Sequence, residues 1–148
     1  MTPRDPDFER RVRSSFVRQT MMTTLGARLE RVVAGEVVIA MPKAAHFLQQ
    51  HGFVHGGAIG AIADSACGYA GFSLMAKGVG VLTVEYKINM LAPAAAPLLI
   101  ATGKVVRAGK RITVAQAEVE AVDGDERRVI ALATATLMAI EDNDAIVD

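Results

Sequence analysis

Between His55 and Lys77 the chain carries one charged side chain, Asp64, in a run otherwise made of apolar and small residues. Taken as a helix opened by Gly56-Gly57 and reaching about Ala76, this run is apolar on nearly every side, the mark of a helix wrapped by other structure. It is predicted to be the buried centre of the fold. After it, Leu82, Val84, Tyr86, Ile88 and Met90 alternate with Thr83, Glu85, Lys87 and Asn89, the period of two of a half-buried strand, with Thr83 on its polar face. Three more strands are expected at residues 98–106, 112–121 and 129–140, separated by the turns Arg107-Ala108-Gly109-Lys110 and Val122-Asp123-Gly124-Asp125. Upstream, β-rich pieces at residues 29–33 and 36–39 flank Ala34-Gly35, and Pro42 closes the second, which reads as a hairpin. Phe8, Val12 and Phe16 recur at four-residue intervals among arginines, predicting an amphipathic helix within residues 5–20 whose basic side chains form its wet face. The order argues for an α+β architecture, an antiparallel sheet curled around the long helix.

At 148 residues, 51% of them hydrophobic, the chain is long enough for one domain with a real core and short for two. Residues 1–148 are therefore read as one domain, with its N-terminal helix within residues 5–20, a core over 25–140 and an acidic tail at 141–148. Sixteen basic and sixteen acidic residues balance to zero net charge, which excludes the broad basic footprint of a nucleic-acid binder. Cys67 is the only cysteine, so no intramolecular disulfide can form, and Arg4, Asp5, Asp7, Glu9, Arg10 and Arg11 make the N-terminus too charged for a secretory signal. A reducing cytoplasm is expected. The apolar run holds Asp64, two serines and three glycines between Ala58 and Ala76, a poor composition for facing lipid, so no membrane span is expected. His46, His51 and His55 lack cysteine or carboxylate neighbours at metal-ligand spacing, and no metal site is expected.

Asp64 requires a reason. Moving an ionised carboxylate from water into apolar surroundings is costly unless it is paired or hydrogen-bonded, so folding alone rarely places one there. A working acid or base is the natural reading. The helix start at Gly56-Gly57 supplies unpaired N–H groups and the positive end of the helix dipole, a suitable seat for a developing oxyanion. Cys67 is expected to pack as a small hydrophobe.

Together these residues resemble the hotdog-fold acyl-CoA thioesterases, in particular the phenylacetate-degradation (PaaI-like) group. The resemblance rests on His55-Gly56-Gly57 with Asp64 nine residues after the histidine, then Val81-Leu82-Thr83-Val84-Glu85-Tyr86-Lys87-Ile88-Asn89-Met90-Leu91-Ala92-Pro93, and extends over roughly residues 25–140. It implies a hotdog fold and hydrolysis of an acyl-CoA to free acid and coenzyme A, with no cofactor, since coenzyme A is part of the substrate. It also implies roles: the Gly57 amide polarises the thioester carbonyl, Asp64 is general base or nucleophile, Gln49 orients the carbonyl, and Thr83 holds the attacking water. Substrate contacts are implied at His55 and Gly56, where His55 is expected chiefly to shape the helix start. The segment Asn89-Met90-Leu91-Ala92-Pro93 is implied too beside the pantetheine path, while Arg107, Lys110 and Arg111 in the basic turn either hold the phosphates of coenzyme A or form a solvated hairpin.

Gly57 and Asp64 share a helix face but stand seven residues apart, about 10.5 Å of axial rise. Both cannot touch one carbonyl, because reacting groups must come within about 3–3.5 Å of their targets. A second, antiparallel helix would bring its own Asp64 to Gly57, and a twofold dimer would create two such sites. A homodimer with interfacial active sites is therefore the expected minimum, a tetramer of two dimers remaining open. Ala61, Ala63, Gly68, Ala70 and Gly71 are expected to leave room for the acyl group, with Phe53, Phe72, Leu74 and Met75 as an apolar wall, suiting aryl-acetyl or medium-chain acyl groups. Two rivals stand beside hydrolysis. A hotdog hydratase or dehydratase would pair a histidine with a carboxylate about fourteen residues later, but Tyr69 and Gly60 occupy those positions after His55 and His46. A non-catalytic acyl-CoA sensor would use the same pocket without needing Asp64.

Overall fold

The computed structural model describes residues 1–141, so most of the acidic tail lies outside the described residues. Two short helices, α1 (Phe8–Phe16) and α2 (Thr20–Thr24), precede the hairpin β1 (Arg28–Val33) and β2 (Glu36–Pro42). The long helix α3 (Gly56–Phe72) follows, then β3 (Gly80–Met90), β4 (Leu98–Ala108), β5 (Ile112–Asp123) and β6 (Glu126–Ile140). All six strands join one antiparallel sheet in the order β1-β2-β4-β5-β6-β3. Helix α3 packs against β2, β3, β4, β5 and β6, so the sheet does close around it.

What lets the sheet come so close is the size of its inner side chains. Ala101 on β4, Ala115 and Ala117 on β5, and Ala131, Ala133 and Ala135 on β6 are all buried. At Gly103 the helix lies directly on the strand: a Cβ there would sit 2.3 Å from the backbone carbon and oxygen of Ala66. No rotamer change relieves a clash with backbone, so this position requires glycine for its lack of a side chain rather than for its φ. Gly35, by contrast, is held at φ 84° in the β1–β2 turn, and its N–H donates to Ser73 Oγ at 2.8 Å. That bond ties the hairpin to the end of α3.

Four sequence expectations change. Helix α3 stops at Phe72 instead of about Ala76, where Ser73 Oγ donates back to the Ala70 carbonyl at 2.7 Å and the Arg11 guanidinium donates to the carbonyls of Phe72, Met75 and Ala76. Arg11 is accordingly buried, not part of a wet face; its Nε lies 3.2 Å from Asp5 Oδ2, and its guanidinium stacks 4.3 Å from the centre of the Phe72 ring. The N-terminal helix breaks between Phe16 and Thr20, with Gln19 extended (ψ 99°) between the two pieces.

The fourth change concerns β3. Its apolar residues are not half-buried inside the chain: Leu82, Val84, Tyr86 and Met90 are between 43% and 57% exposed, because β3 is the sheet's edge. A register shift between Thr83 and Glu85 also breaks the alternation. Thr83 pairs with buried Leu137, which puts it on the inner face; past the bulge Tyr86, Ile88 and Met90 take that face, opposite Ala135, Ala133 and Ala131. A bulge re-aims side chains in this way by adding one residue to one strand.

Candidate active site

Most of α3 is buried, but one stripe is not. Gly57 is exposed, and Ala61, Asp64 and Gly68 are half-buried; their spacing of four, three and four residues places them on one helix face. The inner side chains of β3 meet the helix rung by rung beside this stripe. Met90 Cε lies 3.4 Å from where a Gly56 Cβ would be, Tyr86 Oη lies 3.1 Å from the same point at Gly60, and Thr83 Oγ1 donates to Asp64 Oδ1 at 2.8 Å. The bulge is therefore what delivers Thr83 to the carboxylate.

Burial raises the Asp64 pKa above the ordinary carboxylate value, and the Thr83 hydrogen bond opposes part of that rise. The carboxylate is thus a better base than an exposed aspartate while keeping one fixed partner. One turn further along α3, burial and then the Asp64 charge push the Cys67 thiol up to about 12. A thiol held in that state is no nucleophile, and Cys67 is core.

At the helix start His55 is the N-cap: its carbonyl accepts from Ala58 N–H at 2.9 Å, and its Nδ1 accepts from Gly57 N–H, also at 2.9 Å. The ring thus occupies the very donor expected to meet a carbonyl. The backbone of this corner is pinned from both sides, His55 N–H to the Phe47 carbonyl at 2.9 Å and Val54 N–H to the Ala94 carbonyl at 3.0 Å.

The other expected residues fall elsewhere. Gln49 turns its side chain back on its own loop, Oε1 accepting from His51 N–H at 2.5 Å. Asn89 lies on the outer face of the sheet, paired with Leu132, where its Oδ1 accepts from Lys87 Nζ at 2.8 Å. Arg107, Lys110 and Arg111 are exposed, and Lys110 lines a cleft with Gly71 at the far end of α3, about 21 Å along the helix from Gly57. Of the small residues expected to leave acyl room, Ala63, Ala70 and Gly71 are buried against the sheet, as is Phe72 of the expected wall; only Ala61 and Gly68 lie on the open stripe. Tyr69 is buried between Phe16 and Phe72. Sequence reading gives Tyr86 no role in the site, and Met90 only one within the segment Asn89-Met90-Leu91-Ala92-Pro93 expected beside the pantetheine path. The signal for them was Gly60 and Gly56, helix positions with space for a side chain from another element.

Among the described residues no three His, Cys, Asp or Glu side chains stand together as a metal site, and no helix is long and apolar enough to cross a membrane.

A curled antiparallel sheet around a central helix whose free stripe carries one carboxylate defines the hotdog class. Comparison with known proteins agrees. A family profile, the thioesterase superfamily, matches residues 51–127. A thioesterase family protein from Silicibacter pomeroyi is 46% identical, over 90% of this chain and 98% of that one, with a TM-score of 0.89. The E. coli PaaI protein from the phenylacetic acid degradation operon is 25% identical, over 93% and 96% of the two chains, with a TM-score of 0.81. A thioesterase from Haemophilus influenzae shares the fold at 21% identity and a TM-score of 0.78, over 86% and 87%. No curated protein matches the chain. The chain belongs to the thioesterase superfamily, and its general chemistry is thioester hydrolysis on a hotdog fold.

Proposed function

We propose that the chain hydrolyses acyl-CoA thioesters as a homodimer, with Asp64 of one copy serving the carbonyl bound at Gly57 of the other. The observation that carries this is the Thr83–Asp64 hydrogen bond on the open stripe of α3: a carboxylate of raised pKa, held in place, on the helix face that its own sheet leaves uncovered. Gly57, Ala61 and Gly68 keep that stripe small enough for a second helix to approach closely. Leu82 and Val84, exposed apolar residues of the β3 edge that lie off its inner face, offer a surface for a second copy.

The substrate carbonyl oxygen takes the Gly57 N–H in place of His55 Nδ1, and the helix dipole favours the charge that develops there. Asp64 either removes a proton from water as the water adds to the acyl carbon, or adds to that carbon itself before water releases the acid. In both cases the C–S bond breaks and coenzyme A leaves, its sulfur taking the proton from Asp64 in the first route and from solvent in the second. In an antiparallel helix pair that sets Gly57 against Asp64, the second copy's Gly71 end lies about 10.5 Å beyond Gly57. The basic turn Arg107–Arg111 of that copy then stands where the phosphates of coenzyme A would emerge. Gln49 joins only if its bond to His51 opens.

The test is release of free thiol from aryl-acetyl and straight-chain acyl-CoAs, with the mass of the same sample measured by sedimentation. Turnover by a dimer or larger assembly is expected. Acyl-CoA binding without thiol release would favour the sensor reading instead.

Thr83 supplies a second check. Thr83→Val removes the hydrogen bond that lowers the Asp64 pKa, so the acid limb of the pH profile of kcat/KM is expected to move to higher pH. An unmoved limb would show that Thr83 does not act on the base.

A further inference from the structure

We propose that Tyr86 is the specificity-determining residue for the acyl group, its ring closing the acyl site one helical turn past the carbonyl. This rests on the thioesterase reading above.

Three observations place it. Tyr86 lies on the inner face of β3, between Met90 at Gly56 and Thr83 at Asp64, and its Oη sits 3.1 Å from where a Gly60 Cβ would be, with Cε2 at 3.7 Å and Cζ at 3.8 Å. The hydroxyl end of the ring therefore rests on the helix at Gly60, where a side chain would push it outward by a few tenths of an ångström. Yet Tyr86 remains 45% exposed, unlike the buried Tyr69. A large aromatic whose tip is seated at a glycine and which is otherwise left open presents a surface to something else.

Direction decides what that is. A carbonyl at the Gly57 amide has Met90 on the N-terminal side of it and Tyr86 on the C-terminal side. Coenzyme A must lead out to solvent past the helix N-terminus, where Gly56 and His55 are exposed. The acyl group then runs inward and meets Tyr86 after about 4.5 Å of helix rise. Such a site takes short chains, or a flat ring lying against the tyrosine, and turns longer chains away.

The experiment measures kcat/KM for butyryl-, decanoyl- and phenylacetyl-CoA with the native chain and with Tyr86→Ala, Tyr86→Phe, Gly60→Ala and the double variant Gly60→Ala/Tyr86→Phe. Tyr86→Ala is expected to raise the decanoyl-to-butyryl ratio about tenfold or more, since one misfitting methylene already alters kcat/KM by about tenfold or more. Tyr86→Phe should leave the ratio within about twofold, because the ring and not the hydroxyl does the excluding. Gly60→Ala pushes the ring outward from the helix and should lower the ratio; removing the hydroxyl in the double variant should restore it, which no loss of folding could imitate. A uniform fall in kcat/KM for all three substrates with Tyr86→Ala, at unchanged ratio, would overturn the proposal while leaving the thioesterase reading intact. No thiol release from any substrate by the native chain would remove both.

Discussion

Asp64→Asn is expected to lower kcat/KM for acyl-CoA hydrolysis about a thousandfold, within the range that positioned general bases contribute. The substitution keeps the shape of the side chain and an oxygen to accept the 2.8 Å bond from Thr83, but leaves no group able to take a proton or attack the acyl carbon. Two pH effects accompany it. In the native chain the acid limb of kcat/KM should be centred above the ordinary carboxylate pKa, because burial raises the Asp64 value. Stability moves in the opposite sense. A carboxyl whose folded pKa is raised binds its proton more tightly in the folded state, so its favourable contribution is complete below the unfolded pKa and is lost as pH rises through the folded one. The Asp64→Asn variant carries no such loss. It should therefore be more stable than the native chain at neutral pH, the difference vanishing in acid, as urea unfolding at several pH values would show. A variant that keeps activity within about tenfold of native is incompatible with a general base at this position. One without the stability gain would mean that the carboxylate is better solvated than its placement implies.

Arg11→Ala is expected to destabilise the fold by about 3–5 kcal/mol, a large share of the roughly 5–15 kcal/mol that holds a typical domain together. Arg11 and Asp5 side chains are only 8% and 6% exposed, so removing the guanidinium strands a buried carboxylate. It also removes the guanidinium donors that lie 3.3, 2.7 and 2.6 Å from the carbonyls of Phe72, Met75 and Ala76 at and just past the end of α3, leaving Phe72 and Ala76 with their backbone donors, Met75 N–H and Val79 N–H. Arg11→Lys should rescue little, since an ammonium on a flexible stem cannot serve Asp5 and three carbonyls at once in the geometry of a planar fork. Equilibrium urea unfolding measures both; a loss under about 1 kcal/mol for Arg11→Ala would mean that water replaces the arginine without difficulty.

Helix α3 was legible because its hydrophobicity lacks a polar side, and the later strands because alternation and turn residues such as Asp123-Gly124 are local signals. His55-Gly56-Gly57 and Asp64 were legible for the same reason: a glycine pair at a helix start and one carboxylate in an apolar run stand out in one dimension. Arg11 was not. Its hydropathy says solvent, and only the end of a helix sixty residues away, with carbonyls and a phenylalanine ring to receive it, makes burial favourable. The partners of Gln49 and Asn89 were not legible, because side-chain amides bond groups that only the folded chain brings near, here His51 N–H and Lys87 Nζ.

The sequence by itself determined the elements, their order, the helix that would be central and the carboxylate that would be anomalous, because period, capping and composition act over a few residues. Only the tertiary structure decided which face of that helix stays open. The sheet covers every side it can reach, Gly103 bringing β4 into contact with the helix backbone, and leaves the stripe from Gly57 to Gly68 uncovered. It decided also that Thr83 turns inward, since strand alternation predicts the outer face and the extra residue of a bulge, set by pairing with β6, reverses it.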